Sequence, residues 1–195
     1  DEASLPTKHR NSADAFQLIA AGLHNAGRRE EAATVSLRSL AAENPGFYVR
    51  AAALNHVLDV TSQNNVHVAL RAIATEEQAK LKVVTEAFEP RSDCLWPIQS
   101  DSAVSIVASN LGAAYLLQGR PADALDVAKE ARAHQRTRPE LVRVELEALH
   151  DTGQVPEMFR LGLDSLADLQ DGGLVALAQV AANQGDLAVA DRVFE

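Results

Sequence analysis

Apolar residues recur at helical spacing along most of the chain. Phe16, Ile19, Ala20 and Leu23 share one face of a stretch that Ser12 can cap and that runs to Ala26. Gly27 ends it. A partner helix over 30–43 follows, with Glu30 and Glu31 in its first turn, and Asn44-Pro45-Gly46 stops it. Residues 47–60 are apolar along Val49, Ala53, Leu54 and Val57, and TSQNN at 61–65 marks the next turn. From Val66 the positions Leu70, Ile73, Leu81, Val84 and Phe88 keep the period and predict one unusually long helix to Phe88. Thr75-x-x-Gln78 offers an alternative start inside that stretch, as a capping box would. Residues 1–11 show no period and read as a polar lead-in, and 89–102 reads as a loop stiffened by Pro90 and Pro97.

The second half repeats the pattern with better punctuation. Gly153 follows Gly119 by 34 residues, Gly185 follows Gly153 by 32, and the 61–65 turn begins 34 residues after Gly27. Residues 105–139 carry the fullest unit. Ala108, Leu111, Gly112 and Tyr115 precede the Gly119 turn, and Ala124, Ala128 and Ala131 follow it. Small residues at 112 and 124 suit a close helix crossing, and Leu111 and Tyr115 fill the groove beside it. The next unit has a helix over 140–151 and a partner from near Pro156, where Met158 predicts a wider crossing. Leu174, Leu177, Ala178, Ala181, Gly185, Ala190 and Phe194 begin a fifth unit.

This spacing and these residues resemble the tetratricopeptide repeat, over about four-fifths of the chain. The resemblance implies an all-α fold: an α-solenoid of antiparallel helix pairs wound as a right-handed superhelix. About five units are expected, near 12–45, 46–88, 103–138, 139–170 and 171–195. The second is degenerate and lengthened, and 12–195 forms one domain. The chain opens at Asp1 without methionine and closes inside an apparent helix, so it reads as part of a longer protein.

Composition narrows what such a chain could do. Apolar residues make up 47% of it but aromatics only 4%, so Ala, Leu and Val must build a thin interior between close helices. A net charge of −9 disfavours nucleic acid or an anionic membrane as partner. The local basic group Arg132, His134, Arg136, Arg138 and Arg143 reads most simply as cations at a helix C-terminus. One cysteine, Cys94, leaves no intrachain disulfide or multi-cysteine metal site. No apolar run approaches the roughly 18 residues that would cross a membrane. The compartment, cytoplasmic or periplasmic, stays open.

Chemistry is hard to find. None of the phosphate-loop, dinucleotide, zinc-protease or nucleophile-elbow motifs occurs, and no two of the 6 histidines lie three or four residues apart. Neither catalysis nor a cofactor is expected. In the family the first helix of each pair lines an inner wall. By resemblance that wall holds Asp14, Gln17, Ala21, His24 and Asn25, then Ile106, Ser109, Ala113, Leu116 and Leu117. Glu140, Arg143, Glu147, His150 and Asp151 come from the fourth unit, and Gln179, Ala182 and Asn183 from the fifth. Of the Lys and Asn set that grips C-terminal carboxylates in one branch of the family, only Asn110 is present. Glu140, Glu147 and Asp151 share one helical face and suit a basic segment, with Ile106 and Leu116 supplying apolar contact. Trp96 is a candidate contact in the loop, or simply a cover for an apolar groove.

The expected function is therefore a non-catalytic module or scaffold that holds a peptide segment or partner protein in its groove. Two alternatives remain open. One is a regulatory or recruiting domain of a larger enzyme. The other is a self-associating array within a bacterial envelope, secretion or polysaccharide-export machine.

Overall fold

The computed structural model describes residues 12–42, 45–61, 73–89, 101–134, 139–169 and 171–194. Every regular element among them is helical, so the chain is all-α there. The helices are α1 (Ala13–Asn25), α2 (Arg29–Leu40), α3 (Phe47–Thr61), α4 (Thr75–Glu86), α5 (Asp101–Leu117), α6 (Pro121–His134), α7 (Pro139–Asp151), α8 (Val155–Asp164), α9 (Asp171–Asn183) and α10 (Leu187–Phe194). A 3-10 turn at Leu166–Asp168 precedes α9.

Two compact units account for the chain, Asp1–Ser100 and Asp101–Glu195. The division falls at the end of the segment that the sequence reads as a loop. In the first unit α2 packs between α1 and α3, α4 against α3, and α1 also touches α3. In the second, α6 packs between α5 and α7, α5 also touches α7, α8 packs on α7, and α9 pairs with α10.

Four turns share one geometry. Gly27, Gly119, Gly153 and Gly185 have φ between 68° and 78°, and each lies two residues before the next helix. At each, the glycine N–H donates to the carbonyl three residues back, and the following N–H donates to the carbonyl five back. The pairs are Gly27–His24 and Arg28–Leu23 at 2.9 Å, Gly119–Leu116 and Arg120–Tyr115 at 2.9 Å, Gly153–His150 at 2.9 Å with Gln154–Leu149 at 2.8 Å, and Gly185–Ala182 at 3.0 Å with Asp186–Ala181 at 2.9 Å. Paired bonds of this kind satisfy the last carbonyls of a helix and require a left-handed residue, which is why glycine stands there. Two of the turns also carry an arginine bonded to an acid one turn on: Arg28 to Glu31 and Arg120 to Asp123.

The interior is thin and rich in alanine. Ala20, Ala32, Ala53, Ala108, Ala124, Ala128 and Ala131 are wholly buried, as are Leu54, Leu81, Phe88, Leu111 and Tyr115. Arg120 lies over the Tyr115 ring at 4.5 Å and Arg38 over Phe16 at 4.7 Å, so charged stems cover what the thin core leaves open. Gly112 marks a close approach. A methyl there would collide with Val144 Cγ1 of α7, while the Ala124 carbonyl of α6 lies 3.8 Å behind. The tightest neighbour is thus α7 rather than the paired helix α6. Gly162 plays the same role between α8 and α9, where a methyl would meet Leu177 Cδ2 at 2.6 Å.

Several seam hydroxyls bond back into their own helix. Ser39 donates to the Ser36 carbonyl at 2.6 Å, Thr61 to Val57 at 3.0 Å, Thr85 to Leu81 at 3.0 Å, Ser109 to Ser105 at 2.9 Å and Thr152 to Ala148 at 2.8 Å. At Ser39, Thr61 and Ser109 this bond satisfies the hydroxyl within its own helix, while Thr152 Oγ1 also accepts from Gln154 Nε2 at 2.9 Å.

Two expectations need correction. A helix continuous from Val66 to Phe88 does not form, because Ile73 and Ala74 are non-helical and Ala74 is extended at φ −66°, ψ 155°. Helix α4 starts there, its cap one residue ahead of the alternative start: Glu77 accepts from the Ala74 N–H at 3.1 Å. The side chain of Ala74 has nothing to donate or accept, so only half of a capping box exists. Helix α2 ends at Leu40 rather than at 43, where the Ala41 N–H turns back to the Ser39 carbonyl. Met158 is buried at 3% exposure within α8. The turn at 62–65 and the Cys94–Trp96 loop lie outside the described residues.

Candidate functional site

On the second unit the residues expected on the inner wall divide by burial. Ile106 on α5 is half exposed at 50%. Four residues on, Asn110 is intermediate. Ser109 is buried and turned back on its own helix, and Ala113, Leu116 and Leu117 are buried too. Leu116, at 5% exposure, is therefore withdrawn from any ligand, and the apolar contact expected of it falls on Ile106.

Helix α7 separates its carboxylates in the same way. Glu140, His150 and Asp151 are exposed, whereas the Glu147 side chain keeps only 19% of its surface. Arg143 reaches Glu147 at 3.9 Å, and His150 Nδ1 lies 3.0 Å from Asp151 Oδ1. Burial pushes the Glu147 carboxyl above the usual carboxylate range; Arg143 opposes this and Asp151 reinforces it. Its Oε2 is buried with no hydrogen-bond partner. The expected trio of accessible carboxylates is thus a pair, Glu140 and Asp151, beside a half-withdrawn third. On α9, Gln179, Ala182 and Asn183 are all exposed. Trp96 lies outside the described residues.

A further carboxylate was hidden in the sequence. Glu145 on α7 is 4% exposed and faces Arg132 of α6, Nη1 to Oε2 at 3.1 Å. Burial raises its affinity for a proton, and Arg132 and Lys129 pull the other way. Arg132, expected only to complement a helix terminus, pairs across helices instead.

On the first unit, Asp14 and Asn25 are exposed, and Gln17 and Ala21 intermediate. Gln17 Oε1 is buried without a partner. His24 stands at the centre of a cluster no motif announces. Its ring stacks on that of His56 in α3, centroids 4.8 Å apart and planes 23° apart. His56 Nδ1 lies 2.8 Å from the hydroxyl of Ser36 in α2, and both residues are buried. His24 Nδ1 is 3.8 Å from Asp59 Oδ2, which also lies 3.3 Å from Arg29 Nε. Three helices thus meet through one polar chain. The available signal was polarity out of place, clearest at His56, whose buried neighbours on α3 are Val, Ala and Leu apart from Thr61; Ser36 shares the buried side of α2 with Ala32, Ala33 and Ser39.

The arrangement is poor in chemistry. Among the described residues no group of three or more His, Cys, Asp or Glu side chains is placed to hold a metal ion. No helix among them is long and apolar enough to cross a membrane. Ser36 and His56 resemble a nucleophile and base only in their spacing, since the serine is wholly buried and no substrate atom could reach it. No protein-family model matches the chain, and no curated protein matches it.

Proposed function

We propose that this chain is a non-catalytic helical-repeat module of the tetratricopeptide kind, and that the second unit holds a basic, partly apolar segment of another protein. The supporting observation is the recurrence of one turn geometry at Gly27, Gly119, Gly153 and Gly185, each joining two helices that pack on each other. A chain built of such pairs buries its core between neighbouring helices and leaves one helix of each pair free to face a ligand. The contact of α5 with α7, beyond their shared neighbour α6, fits stacking of successive pairs.

Ile106 and the carboxylates of Glu140 and Asp151 sit on those two touching helices. They offer an apolar contact and a negative field. Each exposed carboxylate contributes on the order of 0.5 kcal/mol, and salt screens it. Binding is therefore weak and salt-sensitive, with Ile106 supplying the apolar contact. Neither nucleic acid nor a lipid surface suits a chain of net charge −9.

A labelled peptide alternating Lys and Leu tests this in wild type and in a Glu140→Lys, Asp151→Lys variant. Glu147 is left alone, because a lysine there would be forced into a mostly buried site. Weaker binding by the variant at low salt, converging with wild type at high salt, is the expected result. Equal affinity under both conditions would move the binding face away from α5 and α7.

A further inference from the structure

The polar chain through the first unit has no part in the function proposed above, and it is costly to build. Ser36 and His56 occupy positions where Ala or Leu would pack without any need for a hydrogen bond. The two imidazoles lie nearly parallel, stacked at 4.8 Å. Two charged rings at that distance would repel, and His56, at 6% exposure, has little water to screen it, although His24 keeps 33% of its side-chain surface.

We propose that the His24–His56 stack is a proton-operated joint, holding α1, α2 and α3 together while His56 is neutral and loosening them when His56 is charged. The partners of each ring decide which proton is tolerated. Only His24 has a carboxylate within ion-pair distance of a ring nitrogen, Asp59 at 3.8 Å, and Asp59 is already shared with Arg29 at 3.3 Å. His56 has the Ser36 hydroxyl, which can donate to a neutral ring or accept from a charged one but brings no counter-charge.

The other charges on the packed helices lie at the surface or have partners of their own. On α2, Glu30 is exposed, Glu31 pairs with Arg28 and Arg38 lies over Phe16. On α4, Glu76 pairs with Lys80 at 3.2 Å and Lys82 with Glu86 at 3.7 Å. Asp14 of α1 is exposed and ten residues, nearly three turns, from His24. The groups that bear on His56 are thus His24 and Asp59. Burial first, and a charge on His24 second, hold His56 below its ordinary value of 6.5, with Asp59 a weaker opposing influence.

The direction of the response follows. Below pH 6.5 the unfolded chain takes up a proton that the folded chain resists at His56, so it binds more protons. The stability this cluster contributes is present above that pH and is lost as pH falls through the folded value. The charged ring is then left in the seam where α1, α2 and α3 meet. Acidification should open the first unit before the second.

Proton NMR of the histidine rings across pH about 8 to about 5 tests the joint in the full chain. His56 should titrate below 6.5, and its midpoint should rise in His24→Gln, a change at a part-exposed site that removes the charge across the stack. Amide exchange at the low end of the range should show protection falling in α1–α3 while α5–α7 keeps theirs. A double variant, Ser36→Ala with His56→Leu, should remove that difference between the units. A His56 midpoint at or above 6.5, or one unmoved by His24→Gln, overturns the proposal, as does equal loss of protection in both units.

Discussion

Two helix seams in this chain solve one packing problem with different materials. In the second unit, α5 meets α7 where Gly112 makes room for Val144. In the first, α1 meets α3 across stacked imidazoles, with a serine of α2 behind them. The glycine seam gains close approach and demands nothing in return. The imidazole seam gains a hydrogen bond but must satisfy every polar atom it buries, and its strength depends on protonation. Turn geometry does not decide between them, since Gly27 and Gly119 end their helices in the same way. What differs is the side chain brought to the seam.

Overpacking the glycine seam should have the largest effect. Gly112→Leu drives four carbons into space already held by Val144, a β-branched side chain with little rotamer freedom. A loss of about 3 kcal/mol is expected in urea denaturation. A midpoint that rises instead would mean the site is open, since leucine is intrinsically the better helix former there.

Orphaning the imidazole comes next. Ser36→Ala leaves His56 Nδ1 buried with no partner and should cost about 2 kcal/mol at neutral pH, without changing helix content by circular dichroism. If the double change Ser36→Ala with His56→Leu recovers part of that loss, the cost lies in the unmet hydrogen bond rather than in lost volume.

The smallest effect concerns Glu145 and sharpens the contrast in pH response. Its folded-state proton affinity is raised by burial, so its favourable contribution is full below the ordinary value of 4.5 and is lost as pH rises through the folded value. That is opposite in sign to His56. Glu145→Gln should therefore be slightly stabilising at neutral pH, with the advantage fading on acidification toward pH 4.5. Arg132 loses its partner, yet it is a third exposed and keeps its contact with water. A variant less stable than wild type at neutral pH, measured in urea, would show that the ion pair outweighs its burial.

The sequence reveals helices and turns more readily than seams, for a physical reason. Left-handed backbone excludes almost every residue but glycine, so Gly27, Gly119, Gly153 and Gly185 could be read from spacing alone. Ser12 likewise accepts from the Ala15 N–H at 3.1 Å, as a cap at that position should. Helix α4 misled because an apolar period says nothing about where the chain breaks, and an alanine at Ala74 carries no capping signal. The candidate face was legible only to the level of which helices carry it. Position in a repeat assigns Leu116 and Ile106 to one wall, but exposure depends on what packs against each. The His24–His56 contact brings together residues 32 positions apart, on helices whose relative height no local pattern encodes.

The hydroxyls at Ser39, Thr61 and Ser109 bear on how this chain can drift. Because each spends its hydrogen bond on its own helix, exchange with alanine asks nothing of the neighbouring helix. Such sites can wander one codon at a time, forward and back. Ser36 and His56 answer to each other across two helices, so a lineage that loses one is left with a defect until the other follows. The first unit thus holds both kinds of site: Ser39 and Thr61 can change singly, while Ser36 and His56 persist together or disappear together.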